Sequence, residues 1–295
     1  MPRTELKNIS EESNFVFDAK DIEYLQSKAR LIRRTIVEML WAAGPERKGH
    51  PGGALSAVEI ITALYFKVMK IDPAKPTMPE RDRFILSKGH ACPVLYSALA
   101  LKGYFDKSHL KHFRNVGGML QGHPCMKSVP GVDMTAGSLG HGLSAGIGMA
   151  LGGRIDGLDY KVFVLLGDGE CQEGLVWEAA MSAPRYRLDN LIAIVDINKW
   201  QSCDTVENIQ SIEPFADKWK SFGWNTIEID GHDLRQVLAA LYLAPAHKGT
   251  PSVILAHTVK GKGVSFMEND NSWHQRDITK EQYDIAMAEL GGSSE

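Results

Sequence analysis

At 295 residues the chain can hold one sizeable α/β domain, and 44% hydrophobic with 23% charged residues is an ordinary globular composition. A net charge of −3 excludes a broad basic surface for nucleic acid, and no apolar run approaches the roughly 20 residues that a membrane-spanning helix needs. The first residues, MPRTELKNISEESNF, lack the apolar core of a secretion leader, and Cys92, Cys125, Cys171 and Cys203 form no CxxC pair, which points to reduced thiols in a cytoplasm.

Residues 1–20 read as an arm or irregular strap. From Asp21 to about Ala43, Leu25, Ala29, Ile32, Ile36 and Leu40 recur on one helical face, and Gly44-Pro45 ends the helix. Arg47–Gly53 (RKGHPGG) is too glycine-rich for an element interior and reads as a loop, with Ala54–Met69 returning to helix. His50, taken alone, reads as a surface residue of that loop. Residues 71–80 are a proline-rich connection. Arg83–Ser87 is a predicted strand that leads into Lys88-Gly89-His90 and a helix over Ala91–Lys102. A Lys and a His at one helix start are natural counter-charges for a phosphate, although a solvated helix end accounts for Lys88 equally well. Gln121-Gly122-His123-Pro124 forms a third loop bearing a histidine. Thr135–Ile155 is so rich in small residues that its backbone can approach a ligand or another helix closely, and Leu143–Gly152 reads as a tightly packed helix.

The central stretch runs from Lys161 to Ser202. Two β-type runs, Val162–Leu166 and Leu191–Val195, bracket a helix from about Glu173, which is a β-α-β unit. The first strand ends in Gly167-Asp168-Gly169 and the second runs into Asn198-Lys199-Trp200. Parallel neighbours would bring both tips to one sheet edge, where open α/β folds bind ligands. The glycines flanking Asp168 allow a sharp turn and close approach to a phosphate, with the helix N-terminus facing the anion. The Asp168 carboxylate, the Asn198 amide oxygen and the Trp200 main-chain carbonyl would give a magnesium ion three protein ligands, with diphosphate oxygens and water completing the shell. A turn at the glycines and a loop cap at Asn198 is the simpler alternative for either tip alone. Beyond this unit, Cys203–Glu213 is irregular, Pro214–Phe222 helical, Trp224–Ile229 a strand, Leu234–Leu243 a helix, Pro251–His257 a strand and Ile278–Leu290 a closing helix. No repeat or internal linker divides residues 21–295, so one domain with a mainly parallel sheet and helices on both faces is expected.

GDG followed after about thirty residues by Asn is the thiamine diphosphate signature. The surrounding text resembles transketolase, specifically its N-terminal, diphosphate-binding half, from roughly Tyr24 to His274. The match rests on GHPGG, SKGHA, GHP, GDG with its Asn, TVKGKG and Trp273-His274. It implies that His50 meets substrate, that His90 contacts cofactor and substrate with Lys88 beside it, that His123 orients the donor ketose, and that His274 bridges diphosphate and substrate, although WHQ stands here where WHG is usual. It further implies that Gly137 and Leu139 touch the aminopyrimidine, that Val259 packs on the cofactor and that Lys260 faces its phosphates. It also implies that Gly167, Asp168, Gly169, Asn198 and Trp200 hold the diphosphate and Mg2+, for which Ca2+ or Mn2+ would substitute. Glu173 matches a glutamate at the family's subunit interface, near the cofactor-activating carboxylate; a glutamate in a first helical turn is also good dipole chemistry by itself.

The family's second domain supplies the glutamate that activates the pyrimidine, and no motif here takes that place. The resemblance therefore implies one subunit of a split transketolase, an α2β2 assembly with a partner chain carrying the pyrimidine-binding domain, and transfer of a two-carbon ketol unit from a ketose phosphate to an aldose phosphate. The α subunit of a 2-oxo acid dehydrogenase also carries GDG and Asn but lacks the three histidine loops. A deoxyxylulose-phosphate synthase keeps all its domains in one chain. A non-catalytic cofactor-binding or scaffold subunit is the alternative from outside enzymes.

Overall fold

A computed structural model of the chain describes residues 17–291. Five segments become strands: β1 Arg83–Leu86, β2 Val162–Gly167, β3 Leu191–Ile197, β4 Asn225–Asp230 and β5 Ser252–His257. They form one all-parallel sheet in the order β1-β2-β3-β5-β4. Strands β2 and β3 are apolar and buried almost end to end, as parallel strands covered on both faces must be.

The period-2 alternation of the strands divides the core in two. Phe84, Leu86, Phe163, Leu165, Ile192, Ile194 and Ile254 face one layer of helices. That layer holds α1 (Ala19–Ala43), α2 (Pro51–Leu55), α3 (Val58–Ala63) and α4 (Cys92–Lys102). Ile85, Val162, Val164, Leu166, Leu191, Ala193 and Val195 face the other, with α5 (His141–Ile155), α6 (Gly174–Arg185), the short α7 (Val206–Gln210) and α8 (Phe215–Ser221). Helices α9 (Leu234–Ala246) and α10 (Lys280–Glu289) join the first layer. This is the expected α/β architecture, a parallel sheet between helices. The expected arm falls outside the described residues except for 17–20, and α1 already begins at Ala19.

One segment departs from the reading of the sequence. The glycine-rich loop over Arg47–Gly53 is helical from Pro51 onward, with His50 as the N-cap residue. Proline suits the first turn because its missing N–H would have no helical partner there. Gly52 is required by packing: a Cβ would lie 2.9 Å from the Trp273 carbonyl oxygen and 3.0 Å from Lys260 Cγ. The single helix expected over Ala54–Met69 is instead α2, α3 and a π-turn over Leu64–Val68. The break at Ser56 sends that buried side chain to Asp196, at 2.6 Å. No helix among the described residues is long and apolar enough to cross a membrane.

Candidate active site at the carboxyl edge of the sheet

Because all five strands run the same way, their polar tips emerge along one edge. Lys88 and His90 follow β1, Asp168 to Glu170 follow β2, Asp196 to Trp200 close β3, and Thr258 to Lys260 follow β5. Asp196 is the hub. Its wholly buried carboxylate pairs with the Lys88 ammonium and accepts hydrogen bonds from Ser56 Oγ, Asn198 Nδ2 and Thr258 Oγ1. Burial raises the Asp196 pKa, but Lys88 and the hydroxyl donors outweigh burial, so the carboxyl titrates below its ordinary value. The Lys88 ammonium also donates to the Gly53 carbonyl at 2.8 Å, tying β1 and β3 to α2.

Asp168 is held differently. Among the described residues its carboxylate accepts only main-chain donors, Gly169 N–H at 2.8 Å and Lys199 N–H at 2.6 Å. Burial, reinforced by the Asp196 charge, pushes it up to about 7. Lys199 takes the left-handed conformation, φ 69°, that brings its N–H to Asp168. Asn198 is oriented by its own bonds: its amide NH2 goes to Asp196, and its Oδ1 accepts Trp200 N–H at 3.1 Å. The Trp200 carbonyl accepts no hydrogen bond among the described residues. An under-compensated carboxylate, a fixed amide oxygen and an open main-chain carbonyl form a donor set that fits a hard divalent cation finishing its shell on phosphate and water. Among the described residues no cluster of three His, Cys, Asp or Glu side chains suits a metal.

The two glycines beside Asp168 play unequal parts. Neither has a positive φ. A Cβ on Gly169 would lie 2.7 Å from Gln201 Cγ, so this glycine lets the 199–201 segment close over the tip, whereas Gly167 has ordinary clearance, 3.6 Å from Lys88. The helix expected from about Glu173 begins at Gly174, and a 3-10 turn over Gly169–Gln172 lies between it and Asp168.

Beside this tip stand three imidazoles from three distant segments. His50, His90 and His274 form a triangle with ring centroids 5.2, 5.5 and 5.4 Å apart. Burial first, then the neighbouring imidazoles and cations, lowers His50 to about 3. Burial and the Lys260 and Lys88 charges lower His274 to about 4, and His90 is pushed well below its ordinary value, mainly by burial. The three are neutral at pH 7 and able both to donate and to accept. His123 is exposed at the rim; burial of part of its ring and the Arg114 charge lower its pKa. A Cβ on Gly137 would come within 3.8 Å of its ring, so His123 and the 137–139 segment share one wall.

Lys260 lies between the triangle and Asp168. Its buried ammonium donates to Asn271 Oδ1 at 2.7 Å, Gln201 O at 3.0 Å and His274 Nδ1 at 3.1 Å. Burial lowers it to about 8, with the Asp168 charge acting in the opposite direction. Val259 precedes it in the same loop. Glu170, which sequence reasoning missed, braces the opposite side. Its buried carboxylate accepts Gly140 N–H at 2.8 Å, Gly167 N–H at 3.0 Å and the Ser87 hydroxyl, and Ser87 Oγ accepts Gly142 N–H at 3.1 Å. This lashes the Gly137–Leu139 segment and the start of α5 to the tips of β1 and β2. Glu173 is exposed and makes no side-chain capping bond; its Cβ lies where a Cβ on Gly140 would fall, 2.8 Å away.

A family model described as "Transketolase, thiamine diphosphate binding domain" matches residues 27–294. The chain belongs to the transketolase family. Among its relatives, the 6-deoxy-6-sulfo-D-fructose transketolase subunit SqwG of a Clostridium species is 47% identical over 266 residues, covering 90% of this chain and 96% of that one. A subunit of the apulose-4-phosphate transketolase of Phocaeicola vulgatus is 40% identical, covering 91% of this chain and 94% of that one. Human transketolase is 37% identical over 92% of this chain, which spans 43% of the human protein. A solved transketolase from Pichia stipitis superposes with a TM-score of 0.85 at 31% identity, over 90% of this chain and 40% of that one. The transketolase likeness thus covers the thiamine diphosphate-binding domain and agrees with the fold expected from the motifs.

Proposed function

We propose that the chain is the diphosphate-binding subunit of a two-chain transketolase that moves a two-carbon ketol unit from a ketose to an aldose. The observation that carries this reading is the triangle of neutral imidazoles beside a carboxylate-amide-carbonyl cation site, on one edge of the sheet. Two relatives of nearly the same length are themselves named as subunits, which supports a partner chain. The partner would bring the pyrimidine-binding domain, in an α2β2 assembly in the cytoplasm. The relatives' names mention a sulfonated sugar and a sugar phosphate, so the substrate class proposed here is a sugar with an anionic far end.

Asp168, Asn198 and the Trp200 carbonyl would hold Mg2+, and through it the diphosphate, with Lys260 as a further cation beside the phosphates and Lys88 behind the Asp168 tip. Gly167 and Gly169 let the β2 tip sit close to this group. Gly137, Leu139 and Val259 would contact the cofactor rings. When bound, thiamine diphosphate supplies the electron sink for breaking and remaking the ketose carbon-carbon bond. The protein's own part is orientation and proton movement. His50 and His90, kept neutral by burial, can take a proton from a sugar hydroxyl at one nitrogen and return it later, whereas His274, whose Nδ1 accepts from the Lys260 ammonium, keeps its proton on Nε2 and can donate it in a hydrogen bond to the sugar. His123, at the rim, would fix the donor through a terminal hydroxyl. Glu173, on the surface beside Gly140, would meet the partner.

The test is co-purification of the tagged chain from its native cytoplasm, followed by a ketol-transfer assay on the complex. A stoichiometric partner bearing the pyrimidine-binding domain, with transfer activity that neither chain has alone, is expected. Self-association only, with no transfer under any pairing, would overturn the two-chain reading.

A further inference from the structure

Three residues remote in sequence meet behind the Val259–Lys262 loop. Arg33 lies on α1, Glu59 on α3 and His232 just after β4. The Arg33 guanidinium grips both Glu59 oxygens, at 2.7 and 2.8 Å, and Glu59 Oε2 lies 2.9 Å from His232 Nδ1. Burial alone would raise the Glu59 pKa, but the His232 hydrogen bond and the Arg33 charge outweigh it and bring it to about 2, so the carboxylate is ionised. Both outer members of this chain then hold the loop. Val259 N–H donates to His232 Nε2 at 2.8 Å, and Arg33 Nε donates to the Lys262 carbonyl at 2.9 Å. A backbone N–H can only donate, so Nε2 must be the bare nitrogen and the ring proton must sit on Nδ1, directed at Glu59. Gly263 fits the same contact: at φ 95° its Cβ position would fall 2.7 Å from Arg33 Cδ.

Resting on the proposed role of this loop at the diphosphate, we infer that Arg33, Glu59 and His232 are a positioning clamp that holds the Val259–Lys262 loop, with His232 locked as the Nδ1–H tautomer. The hydrogen bonds of the clamp run among its own members and to the loop backbone. The clamp acts through Val259 and Lys260, as a carboxylate behind a metal-bound histidine acts through the ring it orients. The loop needs such support because Lys260 is a buried ammonium that must stay aimed at one place, and a loop with glycines at 261 and 263 has little stiffness of its own.

The two ring nitrogens can be tested separately. In His232→Asn the amide reaches the position of Nδ1 and keeps the Glu59 bond while abandoning Val259. In His232→Gln the longer side chain brings its carbonyl to the position of Nε2 and keeps the acceptor for Val259 while loosening the Glu59 bond. The full chain would be used, with three readouts: thermal stability, amide exchange at Val259 in cofactor-free protein, and affinity for thiamine diphosphate with Mg2+. Both variants are expected to lose comparable stability. Only His232→Asn is expected to lose protection at Val259 and to weaken cofactor affinity roughly tenfold, the effect of leaving one inward-facing donor unpaired. His232→Gln should rescue both. Equal affinities and equal exchange in the two variants would overturn the clamp and leave His232 a packing residue. If the complex of the unaltered chain with its partner binds no thiamine diphosphate, the cofactor reading of the loop fails. Exchange at Val259 still decides the clamp: selective loss in His232→Asn supports it, and equal behaviour rejects it.

Discussion

Asp168 and Asp196 stand at the ends of adjacent strands, with Gly167 and Asp196 paired in register, and both carboxylates are buried. Asp196 is answered from every side, by an ammonium, two hydroxyls and an amide, and its pKa falls. Asp168 has two backbone donors and a like charge nearby, and its pKa rises to about 7. Removing a carboxylate from water costs several kcal/mol unless something replaces the water. At Asp196 the protein itself supplies the replacement. At Asp168 it supplies only two main-chain donors among the described residues, and the proposed cation would supply the rest. Of two neighbouring aspartates, one is satisfied within the fold and the other is the proposed ligand to a cation.

Substitution would separate them most sharply. Asp196→Ala leaves the Lys88 ammonium buried without its partner, a change that costs about 3–5 kcal/mol. Urea unfolding of the purified chain should show this loss, while Asp168→Ala should cost much less or nothing. Magnesium-dependent binding of thiamine diphosphate should behave in the opposite sense, collapsing in Asp168→Ala although the protein remains folded. Equal stability losses in the two variants would dissolve the distinction.

A smaller effect follows from the imidazoles. The pKa of His50 is depressed from an ordinary value of 6.5 to about 3, so protonation favours the unfolded chain, where the ring is free to charge. Its contribution is fully present above pH 6.5 and is lost as pH falls towards 3. Between pH 6.5 and 5 the loss from His50 is on the order of 1–2 kcal/mol. His274, depressed to about 4, adds in the same direction. Urea midpoints across this range should fall less steeply in His50→Asn than in the unaltered chain, and parallel curves would show that the triangle is wetter than its geometry.

The same contrast marks what could be read in advance. The strands, the sheet edge and the histidine loops were legible because each is written in a short contiguous run: consecutive apolar residues, as a strand buried on both faces requires, then a glycine beside a polar residue. Asp196 gives no signal of its own in the sequence because it follows directly on an apolar run, and its partners Ser56, Lys88 and Thr258 lie far away in the chain. Glu170 was hidden in the same way, since its donors at Gly140 and Ser87 join it only once the sheet has formed. The helix at Pro51–Leu55 was misread because two glycines normally argue against helix; here close packing on Trp273 and Lys260 overrides propensity. Lone acidic residues give no pattern. A buried carboxylate needing several donors would be found only by asking which sites could supply them.

His123 lies at the open rim, away from the dense network, and its substitution should be felt in chemistry alone. His123→Ala is expected to lower use of the ketose donor by about tenfold or more while leaving cofactor affinity and thermal stability nearly unchanged, because the ring is exposed and makes no hydrogen bond through its side chain among the described residues. Equal loss of donor use and cofactor affinity would move it from substrate orientation to cofactor support.

The smallest effect on the chain itself belongs to Glu173, and it separates two readings that the sequence left level. A carboxylate at a helix start can stabilise through the dipole, by roughly 0.3–1 kcal/mol. Here Glu173 is the N-cap residue of α6, yet its side chain accepts nothing from the helix and stands exposed over Gly140. A charge that caps nothing and faces solvent contributes little to folding, so Glu173→Gln should leave urea stability within about 0.5 kcal/mol. If the surface beside Gly140 meets the partner, the same substitution should weaken assembly roughly fivefold in sedimentation experiments, the worth of one charge-assisted hydrogen bond. A stability loss with unchanged assembly would return Glu173 to the helix dipole and take it out of the interface.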